Sequence, residues 1–210
     1  MAIKVCKFGG TSMADGNVMN RVKRIIESDK DRKYVVVSAP GKRYSGDIKI
    51  TDVLYECHKE VAETGTCGAA FALIRNRFTS IVKELGIDFD IQSVLDETEK
   101  RINRENDEDF TASRGEYLSA RVMAEVLGAQ FIDAEDVIFF DKNGVYDAEK
   151  SDKAINEALR GVEKAVFPGF YGKGYNGRVK TFSRGGSDIS GAIVARAVNA
   201  SLYENWTDVS

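Results

Sequence analysis

Short β-branched runs alternate with amphipathic stretches along the 210-residue chain, and no other feature restricts its fold as much. Strands are predicted over 3–8, 34–38, 130–133, 137–140, 165–170, 179–183 and 200–205. Helices are predicted over 17–27, 50–63, 68–85, 91–103, 111–127, 154–164 and 187–197. The run Val35-Val36-Val37 is apolar without alternation, as expected of a strand covered on both faces. Strands that alternate with helices predict an α/β fold, with helix layers around a mainly parallel sheet. In such sheets ligands bind beyond the carboxyl ends of the strands. The chemistry is therefore expected just after Phe8, Ser38, Phe170, Ser183 and Asn205.

Composition removes several function classes. Apolar residues make up 43% of the chain, enough for a substantial single core. A net charge of -3 gives no general electrostatic reason to bind nucleic acid or an anionic membrane. Arg21-Val22-Lys23-Arg24 is spaced like the solvated face of a helix. No apolar run approaches a membrane span, and the N-terminus has no apolar core of a signal peptide. Three cysteines (Cys6, Cys57 and Cys67) without a C-x-x-C pair support neither a disulfide framework nor a zinc site. Reduced thiols in a cytoplasm are expected. His58 is the only histidine. It lies on a predicted helix beside Glu56, Lys59 and Glu60, and reads as a surface residue rather than a catalytic base.

Glycine-rich segments carry the chemistry. No P-loop occurs. Gly172-Lys173-Gly174-Tyr175-Asn176-Gly177 matches G-x-G-x-x-G but leads into a predicted strand. It therefore lacks the helix N-terminus that a dinucleotide needs, and reads as a glycine-rich hairpin or loop. In Lys7-Phe8-Gly9-Gly10-Thr11-Ser12, a strand delivers a lysine, two glycines and two hydroxyls. Backbone N–H groups at the glycines and the Lys7 charge could meet an anion, although such a turn can also be only a turn. Ser183-Arg184-Gly185-Gly186-Ser187-Asp188 enters an apolar helix. Ser187 or Asp188 could simply start that helix. Arg184 beside the glycines suits bidentate capture of a carboxylate. Glu116, in Ser113-Arg114-Gly115-Glu116, is either a first-turn helix acid or a partner for an ammonium group. Trp206-Thr207-Asp208 reads in isolation as a polar turn.

Taken in order, Lys7-Phe-Gly-Gly-Thr-Ser12, Val36-Val-Ser-Ala39, Ser113-x-Gly-Glu116, Gly169-Phe170, Ser183-Arg-Gly-Gly-Ser-Asp188 and Trp206-Thr-Asp-Val209 resemble the aspartate kinases of the amino-acid kinase superfamily. The resemblance covers essentially the whole chain. It implies phosphoryl transfer from ATP with Mg²⁺ to the β-carboxylate of L-aspartate, giving 4-phospho-L-aspartate, the first step of lysine, threonine and methionine biosynthesis. Lys7, Gly9 and Gly10 would hold the transferring group, and Asp188 would orient Lys7. Arg184 would bind a carboxylate of aspartate and Glu116 its ammonium, with Ser38 and Thr51 lining the acceptor pocket. Thr11, Phe170, Ser187, Thr207 and Asp208 would serve the nucleotide side. The segment 41–47 adds length to the family pattern before Thr51. Arg114 lies where the family varies and receives no role.

The chain stops directly after its last strand, as expected of a domain incomplete at its C-terminus. Residues 1–210 would be a catalytic domain holding the aspartate-binding part and the start of the nucleotide-binding part. Aspartate kinases continue into more sheet and usually into ACT regulatory domains, neither of which is expected within these 210 residues. The family also implies a homo-oligomer for the full-length protein. Three other readings stand beside it: a sister kinase acting on acetylglutamate, glutamate, carbamate or UMP; a non-catalytic aspartate-binding fragment; and a partner-binding module, which leaves the ordered motifs unexplained.

Overall fold

The apolar run around Val35–Val37 becomes the central strand of a parallel sheet. The computed structural model describes residues 2–183 and 185–207. Strands β1 (Lys4–Phe8), β2 (Arg32–Val37), β3 (Gln130–Phe131), β4 (Ala165–Pro168) and β7 (Leu202–Trp206) lie in the order β3-β4-β2-β1-β7. Every pairing among them is parallel. Strands β5 (Tyr171–Lys173) and β6 (Val179–Thr181) form a separate antiparallel hairpin. The G-x-G-x-x-G segment supplies the end of β5 and the turn, so of the two readings, hairpin or loop, the hairpin is the one formed.

Side-chain alternation decides what each face meets. On one face Cys6 and Glu204 point towards α1 (Gly16–Glu27), where Arg32 donates to the Ile25 carbonyl at 2.6 Å. Helix α5 (Glu108–Leu127) covers β2 and β4, backed by α2 (Ile50–Thr64), α3 (Gly68–Leu85) and α4 (Ile91–Glu105). On the other face Lys7, Tyr203 and Asn205 meet α8 (Gly186–Ala197), behind which lies α7 (Ala148–Ala158). A layer of helices therefore lies on each face of the sheet, as expected. A single turn, α6 (Ala134–Val137), packs against β5 of the hairpin.

Edge strand β7 is tied across β1 to β2. Glu204 accepts from Arg32 Nε at 2.7 Å and Nη2 at 3.2 Å, and from Trp206 Nε1 at 3.2 Å. Burial pushes the Glu204 carboxyl up, but these hydrogen bonds outweigh it and hold the group below its ordinary value.

Several predicted boundaries move, each for a local reason. The helix expected at 154–164 runs from Ala148 to Ala158: Asp147 caps its start by accepting from Lys150 N, and the left-handed Gly161 follows its end. The strand expected at 137–140 is instead the end of α6, capped by Asp133, followed by isolated bridges at Phe139 and Phe140. Helix α5 begins at Glu108 because Asp107 caps it, so the acidic stretch 105–109 joins two helix ends. His58 is half-buried, with Nδ1 enclosed and lacking a hydrogen-bond partner among the described residues. All three cysteines are free and buried. No helix among the described residues is long and apolar enough to cross a membrane.

Helix α5 approaches the end of β2 closely. A Cβ on Gly115 would stand 2.6 Å from Ala39 Cβ and 3.2 Å from Leu54 Cδ1. Ala39 Cβ is fixed by the backbone and cannot rotate away. Gly115→Ala is expected to cost about 1–3 kcal/mol through overpacking. Urea denaturation checks this, and a variant with the parent's midpoint would contradict the packing described.

Candidate functional site

Parallel register brings the strand ends level. Phe8 pairs with Val37 and with Trp206, and Val37 pairs with Pro168. The ladder continues one residue further: Ser38 N donates to Phe8 O at 3.1 Å, Gly9 N to Trp206 O at 3.1 Å and Gly169 N to Val37 O at 2.9 Å. The loops after β1, β2, β4 and β7 therefore open side by side, where the sequence placed the chemistry.

A cleft of about 580 Å³ lies above them, and Lys7, Ser38, Thr51, Phe170, Ser187 and Asp188 all line it. Residues up to 181 positions apart in sequence thus reach one space. Gly9, Gly10, Thr11 and Thr207 form the adjoining turn, where Thr11 Oγ1 donates to Thr207 O at 2.9 Å. A short 3-10 turn (Thr11–Met13) follows the two glycines. Arg184 and Asp208 lie outside the described residues.

Lys7 is 7% exposed, and its Nζ stands 2.6 Å from Asp188 Oδ1. Asn205 Nδ2 donates to the same oxygen at 3.3 Å, and Tyr203 Oη to the Asp188 carbonyl at 3.1 Å. Asp188 is therefore no cap. The N-cap of α8 is Gly185, in the left-handed region at φ 78°, with no side-chain cap among the described residues. This frees the half-exposed Asp188 carboxylate to hold Lys7 at the cleft.

Phe170 also has a positive φ, 79°, which a phenylalanine adopts only when its surroundings impose it. Its N–H donates to Ser190 Oγ at 3.0 Å and its carbonyl accepts from Phe182 N at 2.8 Å. These bonds turn the corner after β4 towards the cleft and the start of α8.

Glu116 sits in the body of α5, not in its first turn, and is 6% exposed. Burial pushes its carboxyl up to about 8, against the Ala39 N–H it accepts and the nearby positive charges of Arg114 and Lys7. Its Oε2 has no hydrogen-bond partner among the described residues. A buried, under-satisfied carboxyl beside the end of β2 is suited to receive a cationic group.

Sequence reasoning missed part of the wall. Lys49, Asp52 and Tyr55, around the start of α2, also line the cleft. Tyr55 is one helical turn after Thr51, so the i, i+4 spacing could have revealed it. Asn205 could have been found by setting the last strand against the first, since it pairs with Lys7. Arg114, which received no role, is fully buried. Its guanidinium lies 4.3 Å from the Phe110 ring centroid and 4.6 Å and 5.1 Å from those of Tyr117 and Tyr171. It joins α5 to the root of the hairpin next to Phe170.

No group of three His, Cys, Asp or Glu among the described residues could hold a metal ion. A second cavity, of about 430 Å³, lies between the loop 141–144 and the hairpin. Its carboxylates are committed: Asp107 caps α5, Asp109 accepts from Thr181 Oγ1, and Asp141 accepts from Asn143 N and Val145 N in its own turn.

Comparison with known proteins fits this arrangement. The sequence pattern of the amino acid kinase family matches residues 2–210. Aspartokinase 3 of Bacillus subtilis is 35% identical over 99% of the chain and 49% of its own length. The lysine-sensitive aspartokinase 3 of Escherichia coli is 30% identical over 99% and 49%. Among solved structures, Clostridium acetobutylicum aspartate kinase superposes with a TM-score of 0.96 at 53% identity, covering 100% of this chain and 48% of that one. E. coli aspartokinase III in complex with aspartate and ADP superposes at 0.81 with 28% identity, over 99% and 49%. The chain spans about half the length of the relatives it matches.

Proposed function

Since the chain belongs to the amino acid kinase family, we propose that its cleft serves an aspartate kinase, moving the γ-phosphoryl group of ATP to the β-carboxylate of L-aspartate. The observation that carries this reading is the buried Lys7, held by Asp188 at 2.6 Å in the cleft that Ser38 and Thr51 also line. The relatives named as aspartokinases, and the E. coli structure holding aspartate and ADP, support the choice of acceptor.

An acceptor carboxylate is already ionised near neutral pH, so no general base is required. The task is to bring two anions together in line. Lys7 supplies a fixed positive charge for the phosphoryl oxygens, and backbone N–H groups at Gly9 and Gly10 add to it. Asp188, steadied by Asn205, keeps the lysine in place. Glu116 pairs with the substrate ammonium, Ser38 and Thr51 line the acceptor side, and Arg184 takes a carboxylate. Phe170, Ser187, Thr11, Thr207 and Asp208 serve the nucleotide. An acceptor oxygen bonds to the γ-phosphorus as the bond to the bridging oxygen breaks, and ADP leaves with that electron pair. The chain offers no three-ligand cage of its own among the described residues, so Mg²⁺ would enter on the nucleotide phosphates and supply further charge neutralisation there. Residues 1–210 then comprise the acceptor-binding part and the beginning of the nucleotide-binding part of a catalytic domain. A cytoplasmic, homo-oligomeric full-length enzyme completes the proposal.

Native-length protein with Mg·ATP tests it. ADP release and hydroxylamine trapping of the acyl phosphate are followed with L-aspartate, L-glutamate, acetylglutamate, carbamate and UMP. Only L-aspartate is expected to give both signals. ADP release with another acceptor alone would assign a sister activity.

A further inference from the structure

Outside the cleft, one buried cation grips two loops that bear the site. Arg77, on α3, is 6% exposed. Its Nη1 donates to Gly41 O at 3.0 Å and to Ala14 O at 3.4 Å, while Nη2 donates to Asp47 Oδ2 at 2.8 Å and to Ile48 O at 3.2 Å. Ala14 follows the glycine turn after β1. Gly41, Asp47 and Ile48 belong to the connection 38–49, which carries Ser38 at one end and leads to Thr51 at the other. It contains 41–47, the stretch expected from the sequence to add length to the family pattern.

The two loops also touch directly. Gly41 N donates to Gly10 O at 2.8 Å, and a Cβ on Gly41 would stand 2.8 Å from the Gly10 carbonyl carbon. Arg43 completes the clamp through Nε and Nη2 on Asp47 at 2.8 Å and 2.9 Å. The two arginines hold the Asp47 carboxyl well below the usual carboxylate range. A buried ion pair is a poor device for raw stability, because apolar replacements often serve as well, but it can fix one arrangement among several. Here the arrangement fixed is the position of the phosphoryl-side turn (Gly9, Gly10) relative to the acceptor side (Ser38, Thr51).

We propose that Arg77 is a positioning residue that holds the donor and acceptor sides of the cleft in register through Gly41 and Asp47. This rests on the phosphotransfer reading only for its effect on rate; the coupling of the loops stands apart from it. Displacements of about 1 Å can cost on the order of 100-fold in rate.

Two measurements on Arg77→Met and Asp47→Asn test the proposal. In hydrogen exchange on this chain, peptides covering 9–14 and 41–48 are both expected to exchange about tenfold faster, with α4 unchanged. In the native-length enzyme, kcat is expected to fall about 100-fold while the KM values for aspartate and ATP move less than about threefold. Arg77→Lys, which keeps the charge but not the fork of donors, is expected to recover only part of kcat. Faster exchange confined to 41–48, with 9–14 protected as in the parent, would overturn the coupling. So would parental kcat in a folded Arg77→Met protein. A parent enzyme that does not phosphorylate aspartate would sink the functional reading, and the exchange experiment would still decide the role of Arg77. If Arg77→Met does not fold, Asp47→Asn carries both measurements.

Discussion

Replacing Lys7 by methionine is expected to lower turnover by about a thousandfold, in line with loss of a pre-organised charge at a transferring group. Methionine keeps the buried stem of Lys7 packed, so the change falls on the charge. Two effects add. The phosphoryl oxygens lose their fixed cation, and Asp188, left without Lys7 at 2.6 Å, presents an uncompensated negative charge to the incoming phosphates. The aspartate KM is expected to change little, because the ammonium and carboxylate contacts lie elsewhere. Steady-state kinetics of the native-length enzyme check this. Turnover within about tenfold of the parent would remove Lys7 from the chemistry.

Glu116→Gln is expected to weaken aspartate binding by about 100-fold, the scale of losing one partner of a desolvated charge pair. The pH dependence makes the prediction specific. In the ligand-free chain the Glu116 carboxyl ionises only near pH 8. To pair with an ammonium group it must lose its proton, so aspartate affinity in the parent should fall as pH drops below about 8, by up to about tenfold per pH unit. In Glu116→Gln that slope should vanish between pH 6 and 8. Stability follows the same linkage. A carboxyl raised from 4.5 to about 8 favours the folded state fully below pH 4.5, and that contribution is lost as pH rises through about 8. The parent should therefore lose stability relative to Glu116→Gln across that window, by up to about 1.4 kcal/mol for each pH unit, read as a falling urea midpoint. Parallel stability profiles for the two proteins, or an unchanged pH slope of aspartate binding, would refute the assignment.

Much of the site was legible because parallel sheets place their ligands predictably. Once Lys7, Ser38, Phe170 and Thr207 are set at strand ends, their convergence follows from topology. The glycines at 9, 10 and 185 mark turns in sequence as in space, and Gly186 opens α8. Local signals were harder to weigh. Asp147 and Gly161 bracket α7, yet its apolar residues are too sparse to override the more periodic stretch that follows. Val137–Phe140 reads as a strand by composition, but the Asp133 cap turns its start into helix. The burial of Glu116 depends on Gly115 allowing α5 to reach Ala39, which no window of sequence contains. The Arg77–Asp47 pair spans 30 residues and depends on how α3 packs beneath the connection 38–49, so neither residue stands out in its own segment.

The most direct test of the central claim is calorimetric titration of this chain with L-aspartate, with L-glutamate as the control. The residues proposed to hold the acceptor (Ser38, Thr51, Glu116 and Arg184) all fall within the 210 positions. Saturable heat with aspartate and none with glutamate is the predicted result. A folded chain that binds neither, or that binds glutamate as tightly as aspartate, would contradict the assignment of this cleft to an aspartate acceptor.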